Sequence, residues 1–252
     1  MFEQIRSQFT ATFGDDNDLQ VIMAPGRVNL IGEYTDFNEG FVFPMTVDRG
    51  VYVGIRARDD QRVRVKSSRF GELIDYRIDD FEKPEPGQWP CYVLGVVEEL
   101  RLLGLVPNGF DAVIDGNLNL GAGLSSSAAL ETATALALQS LFDFDMSRVD
   151  VATLCQRVEH RYANVMCGIM DQFASGLGRS NHALLLDCRT LSHVNIPANL
   201  DNYRIVIISS EVKRALASSA YNKRRDQCEE GVALFRQHDP NIASLRDVTP
   251  DL

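Results

Sequence analysis

A short strand, a glycine-serine turn and an alanine-rich helix in immediate succession constrain this chain more than any other feature. Phe110 to Ile114 is a brief apolar run with strand character. The chain then enters Gly121-Ala122-Gly123-Leu124-Ser125-Ser126-Ser127 and continues into an Ala/Leu-rich helix expected over about 128–142. Glycines let backbone approach a ligand closely, and the serines lie where a helix N-terminus offers free N–H groups. Those groups and the helix dipole favour an anion. Two readings stand side by side, a phosphate cradle and a serine N-cap after a glycine turn, which is a common arrangement. The loop is not a Walker A motif, since the required Lys is absent, nor G-x-G-x-x-G, since Ser126 takes the third place. A hydroxyl at Ser127 would also suit Mg2+, a hard cation that takes oxygen ligands.

An anion-binding loop needs such a local device here, because the chain as a whole is acidic. Its 252 residues hold 25 Lys and Arg against 35 Asp and Glu, a net charge of −10. Such a surface repels phosphate backbones and anionic lipid, so neither nucleic acid nor membrane is an expected partner. The length suffices for one large domain or two modest ones. Cys91, Cys155, Cys167, Cys188 and Cys228 are odd in number and widely spaced, without C-x-x-C. That pattern fits neither a disulfide scaffold nor a zinc site, and the expected location is cytoplasmic. The N-terminus carries Glu3 and Arg6 inside its apolar run and lacks a signal-peptide core. It reads instead as an amphipathic helix with Phe2, Ile5 and Phe9 on one face.

Between these landmarks the pattern is α+β, with strands first and long helices after position 90. Val21 to Ile31 reads as a strand interrupted at Pro25-Gly26, with further strands in 41–58 and at Arg62 to Lys66. Asp79 to Pro90 reads as a loop and Tyr92 to Leu103 as a helix. A second helix is expected over about 148–166, strands at Ala183 to Leu186 and Ile205 to Ile208, and a helix over 215–237.

Several polar residues fall where packing alone would not place them. Ala152, Cys155, Glu159, Tyr162 and Met166 recur at three- and four-residue steps and form one stripe, in which Glu159 is the misfit. A carboxylate on an inward stripe is costly unless paired with an Arg, set at a wet edge or bound to metal. Asp171 follows Gly168 among apolar residues, in what reads as the first turn of a helix. It is either a helix cap or an ionised carboxylate able to take a hydroxyl proton. Arg27, held by the Pro-Gly turn, would pair with that Asp or with phosphate, or form a surface salt bridge worth little. Glu33, Asp36 and Asn38 crowd behind the first strand; they suit a sugar's hydroxyls, and equally a capped turn.

Four motifs together identify a resemblance: A24-P-G-R-V-N-L-I-G-E-Y-T-D-F-N, G121-A-G-L-S-S-S-A, G168-I-M-D-Q and Y221-N-K-R-R-D-Q-C. The chain resembles galactokinases, a branch of the small-molecule kinases that includes homoserine, mevalonate and phosphomevalonate kinases. The resemblance implies a two-domain kinase fold with a ribosomal protein S5 domain 2-like N-terminal domain. Residues 1–200 would form that sugar- and ATP-binding domain, and 201–252 the start of a C-terminal domain that is truncated here. It also implies ATP-dependent phosphorylation of the C1 hydroxyl of α-D-galactose, by a monomer that uses ATP and Mg2+. Matched residue by residue, Asp171 would be the catalytic base and Arg27 would stabilise the transition state. Glu33, Tyr34, Thr35, Asp36 and Tyr221 would contact the sugar. Gly121, Ala122, Gly123, Leu124, Ser125, Ser126 and Ser127 would cradle ATP, Ser127 and Glu159 would hold Mg2+, and Trp89 would lie near adenine.

The chain departs from the family pattern in two ways. Tyr34 stands where the family has His and Phe37 where it has Tyr, which keeps a kinase for N-acetylgalactosamine or arabinose as an alternative. The family's C-terminal glycine-rich motif has no counterpart before Leu252, which keeps open a sugar- and ATP-binding sensor without turnover.

Overall fold

Val51, Val53 and Ile55 alternate along one strand, Pro44–Ala57 (β3), and in the computed structural model they join one core while Tyr52 joins another. The structure describes residues 1–119, 121–208 and 217–250. The same period of two runs through Arg62–Ser67 (β4), where Val63 and Val65 are buried. In Phe110–Gly116 (β6), Ala112 and Ile114 pack with the larger core and Val113 with the smaller. Side chains that alternate across a pleat give a sheet two buried faces only if both are covered. Here helices do the covering. Phe2–Phe13 (α1) seals one face with Ile5 and Phe9. On the other face lie Trp89–Leu102 (α2), Ser126–Phe142 (α3) and Arg148–Val158 (α4), with Met170–Leu177 (α5) beside them.

The sheet has eight strands, completed by Gln20–Asn29 (β1), Phe41–Val42 (β2), Leu73–Arg77 (β5), His182–Asp187 (β7) and His193–Pro197 (β8). Its order is β2-β7-β3-β6-β4-β5, with β1 paired to β3 and β8 to β7. Among the described pairs only β4–β6 is parallel. The long β1–β3 ladder runs from Gln20↔Ile55 to Asn29↔Pro44 and slips register between Pro25 and Arg27. Proline donates no ladder hydrogen bond, so a bulge falls there. Gly26 is required at the bulge, because a Cβ would collide with Leu118 and with the Leu124 carbonyl. Ala128, Ala129, Ala133, Ala135 and Ala137 of α3 are all buried. These small side chains let the helix lie close to β1, β3 and its neighbouring helices.

The helix expected over 148–166 is shorter. α4 ends at Val158, a π-type turn follows over Glu159–Ala163, and Asn164 leaves it in a left-handed conformation, φ 56. The wider turn breaks the 3.6-residue period, so Met166 leaves the stripe while Ala152, Cys155, Glu159 and Tyr162 stay buried on it. Ile205 to Ile208 is not a strand. The segment is irregular and outward, with Val206 75% and Ile208 86% exposed. β-branched composition is only a local preference, and among the described residues no neighbouring strand offers it a ladder. β5 and β8, unforeseen in the sequence, are edge strands of mixed polarity. The C-terminal helix is Ala217–Phe235 (α6), and positions 215 and 216 of its expected span lie outside the described residues. No helix among the described residues is long and apolar enough to cross a membrane.

Candidate active site

The bulge in β1 turns Arg27 toward the ends of two helices. Its backbone N–H donates to the Leu124 carbonyl, 3.1 Å, and its Nη1 to the Gly123 carbonyl, 2.6 Å. The other edge of the guanidinium meets Asp171 in the first turn of α5, with Nε and Nη2 at 2.8 and 2.6 Å from Oδ1. One planar fork thus joins the glycine-serine loop to the carboxylate that the sequence singled out. Both groups are only partly buried and border an open cavity of about 1520 Å³.

One end of that cavity is built by the turn after β1. Gly32 at φ 114 and Tyr34 at φ 63 reverse the chain, and Thr35 Oγ1 lies 2.8 and 2.7 Å from the carbonyls of Gly32 and Phe41. Thr35 therefore holds the turn, and it does not line the cavity. Glu33, Tyr34 and Asp36 do. Asp36 lies beside the N–H groups of Phe37 and Met170 and is pressed against Gly168, where any Cβ would overlap its carboxylate. Burial, and then the Asp171 charge, push Asp36 up to about 6. Tyr221 enters from α6, its hydroxyl oxygen accepting the Gly168 N–H at 3.3 Å. Burial, and then Asp36, push that hydroxyl well above the ordinary tyrosine range. The rings of Tyr34, Phe37 and Tyr221 form a triangle with centroids 5.8, 5.9 and 5.4 Å apart.

The other end is the glycine-serine loop. Gly121 and Gly123 adopt φ 74 and 77, and Ser125 takes a left-handed φ of 56 before α3 begins. Gly121, Ala122, Gly123, Leu124, Ser126 and Ser127 line the cavity. Ser125 does not, and its hydroxyl is buried without a partner. Ser127 lies beside Glu159, which is only 4% exposed. Burial raises Glu159 to about 7; the neighbouring Ser127 hydroxyl works against the shift and the Asp171 charge adds to it. A sealed carboxyl whose charge is opposed in this way, beside a hydroxyl, fits a divalent oxygen-seeking cation. Beyond the loop, Trp89 stacks parallel on Phe70, centroids 6.0 Å apart, at the cavity wall.

The candidate site residues singled out in the sequence thus meet at one cavity, except Thr35, Asn38 and Ser125, which do not line it; Asn38 Nδ2 donates to the Tyr34 carbonyl at 2.7 Å. Other contributors escaped notice. Asn222 accepts the Met166 N–H at 3.0 Å and donates to the Asn164 carbonyl at 3.1 Å, while Arg225 donates to the Met166 carbonyl at 3.0 Å. They clamp the segment between Glu159 and Asp171. Their signal lies in Y221-N-K-R-R, beyond the tyrosine that the motif points to. Phe70 and Tyr92 also line the cavity and carried no motif.

Known proteins match both ends. The family model for the galactokinase galactose-binding signature covers residues 7–57, and that for the GHMP kinases N terminal domain covers 91–179. The galactokinase of Fusobacterium nucleatum is 39% identical over 252 residues, and that of Chloroflexus aggregans 44% over 250. These alignments take in 99% and 98% of this chain but 65% and 64% of the relatives. The crystal structure of Lactococcus lactis galactokinase complexed with galactose superposes with a TM-score of 0.94 at 35% identity, over 99% of this chain and 65% of that one. Methanococcus jannaschii mevalonate kinase shares the fold, with a TM-score of 0.61 at 17% identity over 73% of this chain and 57% of its own.

Proposed function

The chain belongs to the galactokinase family, and from that premise we propose that its cavity serves ATP-dependent phosphorylation of the C1 hydroxyl of α-D-galactose. The observation that carries the reading is the Arg27 fork, which ties Asp171 to the Gly123 carbonyl of the phosphate loop. Phosphoryl transfer demands little covalent chemistry from a protein and depends on placing acceptor, base and phosphates together.

In this reading Glu33, Tyr34, Asp36 and Tyr221 hold the sugar, with Thr35 fixing the turn that presents them. Asp171 takes the proton of the sugar hydroxyl as its oxygen attacks the γ-phosphorus, and the bond to ADP breaks. Arg27 orients Asp171 through its two contacts with Oδ1 and offsets negative charge that grows at the transferring group. Gly121 to Ser127 lie along the ATP phosphates with the N-terminus of α3 behind them, and the Trp89–Phe70 pair offers an apolar wall for adenine. Ser127 and Glu159 would hold Mg2+, which when bound neutralises phosphate charge. The domain boundary falls near residue 200, after the last strand of the sheet at Pro197. A cytoplasmic location suits buried free thiols such as Cys91 and Cys155.

A second reading, phosphorylation of N-acetylgalactosamine or arabinose, draws on Tyr34, whose ring rather than an imidazole stands at the sugar end. ADP release measured on a panel of sugars separates the two. Asp171→Asn should lower kcat by roughly 10²–10⁴-fold, the range for a positioned base, while sugar affinity stays largely intact. Retained turnover in that variant would remove Asp171 from its role, and no turnover of any sugar by the unaltered protein would remove the kinase reading.

A further inference from the structure

Two sealed polar groups lie behind the cavity with no part in the reaction above. Glu131 stands four residues after Ser127 on α3, on the same side of the helix, with 0% exposure. Both of its carboxyl oxygens lack a hydrogen-bond partner. Gln172 follows Asp171 on α5, also at 0% exposure. Its Nε2 reaches only the Cys167 sulfur, 3.7 Å away, and its Oε1 has no partner. Neither residue lines the cavity, so neither touches a substrate.

A buried, unpaired carboxyl is destabilising, and folds seldom leave one without a counterpart. α3 and α5 pack directly on one another, and Gln172 lies beside Glu131. Burial, followed by the charge of Glu159, drives Glu131 well above the usual carboxyl range, and a neutral acid can donate where a carboxylate cannot. A hydrogen bond from the Glu131 hydroxyl to Gln172 Oε1 would give a partner to an orphaned atom on each helix at once. We propose that Glu131 is a positioning residue: paired with Gln172, it locks the phosphate helix to the base helix and thereby sets where Asp171 stands relative to the serine loop. This rests on the kinase reading of the cavity for its functional meaning, but the pairing is physical and can be measured without turnover.

Native-state hydrogen exchange on the whole chain is the test, with Glu131→Leu, Glu131→Gln, Gln172→Met and the double variant Glu131→Leu/Gln172→Met. Glu131→Leu should speed exchange of the Phe173–Leu177 amides by about tenfold and leave the β3–β6 amides unchanged. Glu131→Gln, which keeps a hydrogen-bonding head of the same size, should restore protection to within about threefold. Gln172→Met should reproduce the local loss, and the double variant should be no worse than either single one, as for two members of one contact. Gln172→Met also decides the matter if Glu131→Leu does not fold. Where the unaltered protein turns over sugar, Glu131→Leu should lower kcat by about tenfold with sugar KM within twofold, and Glu131→Gln should recover it. Unchanged α5 exchange, an equal rise in every element, additive losses, or no recovery by Gln would each overturn the pairing. Absence of sugar turnover in the unaltered protein would instead overturn the kinase reading and leave the exchange result standing.

Discussion

The two ends of the cavity are held in opposite ways. In the proposed reading, the sugar end is a surface turn pinned from outside by charge. Arg246 reaches Asp187 at 2.5 Å and the Glu39 carbonyl at 2.7 Å while covering the Phe41 ring, and Arg189 binds Glu39 and Asp247, each at 2.7 Å. The phosphate end is a helix N-terminus backed by a sealed carboxyl, Glu159, with Glu131 deeper still. Exposed ion pairs contribute little to stability, so the first end is adjustable. Buried carboxyls carry a desolvation cost, so the second end is under electrostatic tension that a cation would relieve. Arg27 belongs to both.

Removing Arg27 should therefore collapse the distinction and have the largest effect of the changes considered next. Arg27→Met should cut kcat/KM by about 10²–10³-fold, the usual loss for one preorganised donor at developing charge. Arg27→Lys should recover little, because a single ammonium cannot reach Asp171 and the Gly123 carbonyl with a rigid fork. Steady-state kinetics on all three proteins checks this, and full recovery by Lys would reduce Arg27 to a point charge.

Glu159 sharpens the comparison through pH. Its folded-state value of about 7 stands above the ordinary 4.5, so the folded protein holds that proton more tightly than the unfolded chain. The resulting stability is complete below 4.5 and is lost as pH rises through about 7. Asp36, raised from 3.8 to about 6, acts in the same direction over a lower window. Asp187 and Asp247, held low by Arg246 and Arg189, act oppositely but only below these windows. Urea denaturation should show the ligand-free protein losing stability between pH 5 and 8. Glu159→Gln should flatten that slope and be more stable at pH 8 by roughly 2–3 kcal/mol. An unaltered slope would show that Glu159 is not the group under tension.

The same contrast governs how much could be read from the sequence. The loop G121-A-G-L-S-S-S and the carboxylates Glu159 and Asp171 stood out because local chemistry makes them misfits among apolar neighbours. The alternating strands β3, β4 and β6 were legible for the same reason, since a period of two needs only near neighbours. What depended on distant partners was not legible. Ile205 to Ile208 has strand composition, but a strand also needs a ladder. The π-type turn at Glu159 leaves no mark in residue types, and it ends the stripe before Met166. Thr35 and Ser125 look like ligands within their motifs. Yet one spends its hydroxyl on the turn, and the other points away from the cavity wall. Gln172 closes the motif G168-I-M-D-Q and Glu131 lies three residues past the end of the serine-loop motif, and nothing in either stretch marks the other as its proposed partner.

Arg246 tests the adjustable end. Arg246→Met should loosen the turn that carries Glu33 to Asp36, raising sugar KM by about two- to fivefold with kcat within twofold, as suits a partly exposed contact. A fall in kcat alone would place the network in the chemistry rather than in sugar binding.

Tyr34 has the smallest expected effect and the most to say about substrate. Its φ of 63 is a conformation that His tolerates several-fold better than most side chains, so Tyr34→His should change stability by less than about 0.5 kcal/mol. The ring is 50% exposed and touches Phe37 and Tyr221, so replacing it opens one side of the aromatic triangle without unsealing a core. If the triangle shapes the wall against which the sugar lies, the ratio of kcat/KM between galactose and its N-acetylamino analogue should shift by about tenfold, the scale of a modest change in pocket volume. If the ratio holds, Phe37 and Tyr221 suffice, and the ring of Tyr34 only fills a place where the turn demands its backbone.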